Sequence, residues 1–292
     1  MDGIIVLNKP AGWTSMDCCA VIRGICKTKK VGHTGTLDPN ATGVLPVCVG
    51  KATRLIEYMD FGPKTYRAGC KLGLVTDTQD IWGTPVEDVK EHGAWPAQDR
   101  VRDVLASFCG DIQQIPPAYS AIKINGKKLY EYARAGKAVE VEARTITIHG
   151  TELLAYDREK GELSFDVTCS RGTYVRTICH DLGQKLGCGA AMSSLVRLST
   201  CGYSLDQAVT IDELKEKGPE SFLMPFESAV SEMPHIELNS KQAWLFSNGV
   251  HAFYRDPEIA HLGVYAVFSG QTLVGTAKPD ENGDFRPLKV FK

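Results

Sequence analysis

Two stretches of the chain alternate strictly between apolar and other residues. Tyr66, Ala68, Cys70, Leu72 and Leu74 form the first, and Leu163, Phe165, Val167 and Cys169 form the second. A period of two puts one set of side chains on one side, so each stretch predicts a strand with one buried face. Around them the period changes. Thr14 and Asp17 stand at the spacing of a capping box, and Cys18, Cys19, Ile22, Ile25 and Cys26 follow at helical period. A helix is expected over 15–28. Val101, Val104, Leu105 and Phe108 mark a second helix, and Tyr174, Ile178, Leu182 and Leu186 a third. Further strands are expected at 3–8, 44–49 and 193–204, with a short helix at 51–59 that turns Leu55, Ile56 and Met59 inward. Residues 113–145 are polar, basic and broken by Pro116–Pro117 and Gly126, which reads as an excursion from the core. After an acidic stretch at 205–234 comes a small unit: a helix near 240–248, a turn at Asn248–Gly249, and strands near 263–268, 272–277 and 286–291. Its pattern predicts a small β-barrel appended to an α+β core.

Composition excludes several classes. With 43% hydrophobic and 23% charged residues in 292, the chain can bury a sizeable core. No apolar run reaches the roughly 18 residues that span a bilayer, so no membrane association is expected. Asp2 and the Lys9–Pro10 pair interrupt the first apolar run, which argues against a secretory signal and for a cytoplasmic protein. None of the ten cysteines forms a C-x-x-C pair, so a zinc ribbon or redox dithiol is disfavoured and the thiols read as small buried hydrophobes. The net charge of −2 announces no nucleic-acid binder, but its distribution is uneven. Segment 23–30 has four basic residues and no acid, 118–137 carries a net +4, and 205–237 a net −6. Basic patches on a nearly neutral protein can hold phosphates locally.

The segment VGHTGTLDPNATGVLPV (31–47) gathers Gly32, Gly35 and Gly43 around one acid, Asp38, with Pro39 next. Glycine lets a ligand approach backbone closely, and the proline restricts Asp38 to extended conformations. One carboxylate is thereby held at a fixed angle on a tight polar loop. Asp77 and Asp80 stand three apart in a Gly-containing segment, where a structured turn is expected rather than a metal site.

The whole string 31–47 closely resembles the catalytic motif of the bacterial tRNA pseudouridine-55 synthases, the B-type family of pseudouridine synthases. LNKPAGWTS (7–15), KTYRAGCKLGLVTDTQDIWG (64–83), QIPPAYSAIKINGKKLYEYARAG (114–136) and CSRGTYVRTICHDLG (169–183) resemble that family's other motifs, in order and spacing. The last sixty residues, with GVYAVFSGQTLVGTA, look more loosely like a PUA-type RNA-binding module.

The resemblance implies an α+β fold: a mixed, mostly antiparallel sheet with flanking helices, a central RNA-binding cleft, and a small C-terminal barrel. It divides the chain into a catalytic domain at 1–232, with an RNA-binding insertion at 113–145, and a PUA-like domain at 233–292. It implies isomerisation of a uridine in the tRNA T loop to pseudouridine, with base flipping, no cofactor, no metal and no obligatory protein partner. Asp38 is implied as the nucleophile on the sugar or the base, Arg176 as its ion-pair partner, and Tyr66 as the residue that stacks on the target base and a candidate for removing the C5 proton. Tyr174 and Leu195 match positions that contact the extruded nucleotide. His33 matches the histidine that stacks where that nucleotide was. Lys9, Lys123, Lys127, Lys128 and Arg134 are candidates for phosphate contacts. Arg54 stands in GKATR where lysine is common, and either cation can meet a phosphate. Competing expectations are a non-catalytic RNA-binding protein or tRNA chaperone of the same fold, and a subunit of a guide-RNA particle. An intact Asp38, Tyr66 and Arg176 favours catalysis, since binding alone does not need all three.

Overall fold

The computed structural model describes residues 1–59, 62–87, 95–137, 139–251, 253–256 and 263–291. In chain order the first elements are β1 (Gly3–Lys9), α1 (Ser15–Ile25), β2 (Val31–His33), β3 (Thr42–Val49), β4 (Lys64–Leu72), β5 (Val75–Thr76) and β6 (Pro85–Glu87). They are followed by α2 (Gln98–Ala106), β7 (Gly110–Gln114), β8 (Lys123–Ile124), β9 (Lys127–Lys128), α3 (Leu129–Arg134), β10 (Arg144–Asp157) and β11 (Glu162–Cys169). Then come α4 (Val175–Leu186), β12 (Ala190–Thr200), β13 (Tyr203–Ser204), α5 (Ile211–Lys217), β14 (His235–Glu237) and α6 (Ser240–Ser247). The last three are β15 (Tyr265–Ser269), β16 (Thr272–Pro279) and β17 (Phe285–Val290).

A nine-stranded sheet runs β1-β3-β12-β4-β11-β10-β7, with β2 paired to β3 and β13 to β12. Every pair is antiparallel except β3 with β12, which join in parallel through Thr42–Val196 and Gly43–Arg197. The alternating stretches are β4 and β11, neighbours at the centre, and their inward residues pack on Ile178, Cys179 and Leu182 of α4. The unbroken apolar run of β1 has a different cause. Ile5 and Leu7 face α1 through Cys18, Cys19 and Ile22, while Ile4 and Val6 face a second cluster that contains Ala266, Leu273 and Phe291 of the C-terminal unit. Both faces are covered, and each buried Ile or Leu contributes about 1.5–3 kcal/mol.

The capping box at α1 is present: the Thr14 side chain accepts from the Asp17 amide and the Asp17 carboxylate accepts from the Thr14 amide. Helix α1 stops at Ile25, with Cys26 as its C-cap. The expected helix at 51–59 is a 3-10 helix over Gly50–Tyr58, with Leu55 and Met59 buried and Ile56 only partly so. Leu74 lies past the end of β4 and is half-buried. The strand expected at 193–204 is two, because Cys201 and Gly202 both take left-handed backbone (φ 54° and 76°) and turn the chain back on itself. The excursion at 113–145 holds the β8–β9 hairpin and α3.

The expected barrel is not closed among the described residues. The C-terminal unit is a four-stranded sheet, β14-β15-β16-β17, whose outer strands do not pair with each other. Phe246 of α6 lies against Gly275 on its central strand, where an added Cβ would meet the ring at 2.4 Å. Arg54 is exposed, but its guanidinium is engaged. It donates to the Val290 carbonyl at 2.8 Å and lies 4.8 Å over the Phe291 ring, so it clamps the C-terminal sheet to the core.

Gly43 is the tightest point of the sheet. Its φ is +100°, and a Cβ there would lie 2.3 Å from the Arg197 carbonyl of the parallel neighbour. All three nearest atoms are Arg197 backbone, so no flexible side chain can give way. Gly43→Ala is expected to cost about 2–4 kcal/mol from strain and overlap together, measured by denaturant unfolding.

Candidate active site

Asp38 sits on the loop between β2 and β3, and four tethers fix that loop. Ser15, first residue of α1, accepts from the Leu37 amide at 3.0 Å and donates to the Leu37 carbonyl at 3.3 Å. The Gly12 amide donates to the Pro39 carbonyl at 2.9 Å. The Lys9 ammonium donates to the carbonyls of Pro10, Trp13 and Pro39 at 2.8, 2.5 and 2.8 Å. The Arg197 guanidinium donates to Val44 at 2.7 Å and Gly35 at 3.0 Å. The capping box places Ser15, and the parallel strand pair places Arg197, so both positions follow from local structure.

Arg176, on the first turn of α4, reaches Asp38 with Nε–Oδ2 at 2.9 Å. The arginine side chain is 7% exposed and the aspartate 42%, so the pair presents its carboxylate outward and keeps its cation inside. The guanidinium also donates to the carbonyls of Thr78 (3.0 Å) and Tyr119 (3.1 Å) and lies 3.9 Å from Asp80. A buried cation needs such acceptors. A pocket of about 100 Å³ opens beside the pair, lined by Asp38, Tyr66, Tyr174, Arg176, Leu195 and their neighbours. It brings together residues from four elements that the sequence singled out separately. Tyr174 is held as the N-cap of α4 by a double bond to Gln114: its amide donates to Oε1 at 2.8 Å and its carbonyl accepts from Nε2 at 3.1 Å. Burial pushes the Tyr66 phenol above its ordinary value of 10.0, partly offset by the charges of Arg197 and Lys64.

The pocket opens into a groove of about 690 Å³, where His33, Asp38 and Arg176 meet Lys128, Tyr130 and Arg134 of the excursion. Lys128 and Arg134 flank the Tyr130 ring at 5.5 and 5.3 Å, an interleaving of cations and an aromatic suited to RNA. Lys123 and Lys127 are exposed on the β8–β9 hairpin and do not line the groove.

Lys9 is a correction. It is 0% exposed, with its three donors spent on backbone carbonyls, so it holds the Asp38 loop and contacts no phosphate. Burial pushes its ammonium below the usual lysine value, with the nearby Cys18 and Asp38 opposing the shift. Asp77 and Asp80 brace a turn: Asp77 accepts from the Thr84 amide and the Tyr119 hydroxyl, and Asp80 from the Thr78 hydroxyl and the Trp82 amide. Among the described residues no cluster of three or more His, Cys, Asp or Glu side chains is arranged to hold a metal. Sequence reasoning missed Arg197. The available signal was its place two residues after Leu195 in a strand, which puts a charge on the buried face.

The chain has counterparts among known proteins. The family profile "TruB family pseudouridylate synthase (N terminal domain)" matches residues 23–175, and "tRNA pseudouridylate synthase B C-terminal domain" matches 176–231. A tRNA pseudouridine synthase B of Geobacillus thermodenitrificans is 42% identical over the full length of both chains. One from Clostridium perfringens is 41% identical over 97% of each, and one from Alkaliphilus oremlandii 45% identical over 85% of this chain and 82% of its own. Among solved structures, a Cbf5-Nop10-Gar1 complex matches with a TM-score of 0.73 and 27% identity over 99% of this chain and 84% of that one. An H/ACA RNP bound to a substrate RNA containing 2'-deoxyuridine matches with a TM-score of 0.73 and 25% identity over 99% and 85%. The sequence and the architecture are those of a pseudouridine synthase. Within that class, the chain belongs to the TruB family.

His33 continues β2 into the loop, and its Nδ1 is buried with no hydrogen-bond partner. Burial pushes the imidazole below its ordinary 6.5, and the Arg197 charge adds to the shift. Below pH 6.5 the unfolded chain therefore binds a proton that the folded one resists. The neutral imidazole's contribution to stability is whole above that pH and is lost as the pH falls toward the folded value. The stability of wild type relative to His33→Gln is expected to fall between about pH 7 and about pH 5 in denaturant titrations.

Proposed function

We propose that the protein converts uridine 55 in the T loop of tRNA to pseudouridine, with Asp38 as nucleophile. The observation that carries this reading is the Asp38–Arg176 pair at the mouth of a one-ring pocket walled by Tyr66, Tyr174 and Leu195. The bond from the uracil N1 to the sugar breaks, the base turns in the pocket, and a bond from its C5 to the same sugar carbon forms while the C5 proton leaves, N1 takes up a proton, and any bond to Asp38 is released. Atoms balance without an outside reagent. Asp38 supplies the attacking oxygen, whether at the sugar or at the base. Arg176 aims that carboxylate, and its remaining donors are anchored in backbone, so it has one orientation to offer.

A uridine inside a folded loop must leave its stack to reach the pocket, at a cost of a few kcal/mol. His33, in the groove outside the pocket, is placed to stack where the base was. Lys128 and Arg134 hold the phosphates of the strand that enters the groove. The insertion at 113–145 and the unit at 233–292 serve as RNA-binding parts around a catalytic domain at 1–232, and the C-terminal sheet is the counterpart of a PUA-type module. The cytoplasm suits the protein, because it keeps thiols reduced and all ten cysteines are free. The near full-length likeness to enzymes named tRNA pseudouridine synthase B supports tRNA as substrate.

Asp38→Asn keeps the shape of the side chain and loses the nucleophile. It is expected to lower single-turnover pseudouridine formation on an unmodified tRNA transcript by more than about a thousandfold, with tRNA affinity changed by no more than several-fold. Modification mapping and a binding titration read the two quantities. Turnover by the purified variant near the wild-type rate would remove Asp38 from the chemistry.

A further inference from the structure

Trp82 is half exposed, at 50%, on the turn that joins β5 to β6. A large ring left in water at that position has no role in the core. Nor is it loosely held. The Trp82 amide donates to Asp80 Oδ1 at 3.1 Å, the Ile81 amide to the Met192 carbonyl at 3.0 Å, and the Gly83 amide to the Asp80 carbonyl at 3.2 Å. Asp80 is the carboxylate 3.9 Å from Arg176, and the Thr78 carbonyl of the same turn accepts from that guanidinium. The tryptophan backbone is therefore tied to the group that aims Asp38.

The ring lines the large groove together with Asp38, Lys128, Tyr130 and Arg134, and it does not line the small pocket beside Asp38. Among the described residues no other ring stacks on it. Met16, another exposed apolar side chain, also lines the groove. Cations interleaved with aromatic faces are what a single strand of nucleic acid needs: the cations follow its phosphates and each base finds a ring to stack on.

We propose that Trp82 is a stacking platform for an unpaired base of the substrate RNA, a neighbour of the isomerised uridine and not that uridine itself. The inference rests on the RNA reading of the groove. The separation follows from the two volumes: the reacting base belongs in the pocket, and the ring stands outside it on a rigid turn. The backbone that carries the ring is already held, so binding has mainly the side-chain rotamer to order.

The test uses full-length Trp82→Phe, Trp82→Leu and Trp82→Ala with a T-arm stem-loop RNA as probe. Exposure of the side chain leaves folding intact, and thermal unfolding checks this. Loss of the ring is expected to weaken binding roughly 5- to 150-fold, the span of one base–aromatic stack. The loss should appear in KM, with kcat at saturating RNA unchanged. Phe should retain most of the affinity, and Leu and Ala should both lose it. Equal affinity of Trp82→Ala and wild type would overturn the proposal and leave the ring to a protein partner. Leu performing as well as Phe would replace stacking by plain apolar contact and overturn it too. Wild type that neither binds nor isomerises the T arm would overturn the proposed function first, and this inference with it.

Discussion

A guanidinium buried as deeply as that of Arg176 requires acceptors on nearly every donor, and that requirement organises the site. The acceptors come from segments far apart in sequence: the Asp38 loop, the turn at 77–84 and the excursion that carries Tyr119. Without them the cation would stand unpaired in a poorly polarisable interior, at a cost of several kcal/mol. With them, three segments converge on one point of α4. Of the two carboxylates near it, Asp38 is the more open to solvent, at 42% against 14% for Asp80. The structural demand of the arginine and the chemical demand for an aimed carboxylate are met by a single contact.

A second buried cation has a parallel part behind the loop. Arg197 ties Gly35 to Val44 across the parallel strand pair, and Lys9 ties Pro39 to the chain that leads into α1. Three cations thus surround one short loop; Lys9 and Arg197 are satisfied by carbonyl oxygens, and Arg176 by two carbonyls and the Asp38 carboxylate. Carbonyls fix position without cancelling charge.

What the sequence made legible was local. The capping box at Thr14–Asp17, the alternation in β4 and β11 and the helical face of α4 depend on neighbours a few residues apart, and all are present. The order of the catalytic motifs was legible through resemblance. Long-range features were not. The parallel pairing of β3 with β12 joins residues 42–43 to 196–197, and no spacing in the chain announces it. Strands β7 and β10 were missed because β7, and much of β10, lie open to water, so no apolar alternation marks them. Lys9 was misread because a lysine beside Pro10 looks like a surface residue until the carbonyls that surround it are in place. The C-terminal barrel was expected from the number of strands, but closure depends on the pairing of the outer strands, which composition does not encode.

The same parallel pair has a consequence for how the protein is made. Strand β3 is synthesised early and has only β1 and β2 to pair with until β12 emerges, roughly half the chain later. Contacts this distant form slowly, since a long loop must close before they gain anything. Until Arg197 leaves the ribosome, Gly35 and Val44 lack their donor, and until α4 does, Asp38 has no partner. A nascent chain therefore holds the Asp38 loop only through Lys9, Gly12 and Ser15 until α4 and β12 emerge. The site's full geometry arrives late, so truncated products of this gene would bear the motif of the enzyme without its geometry.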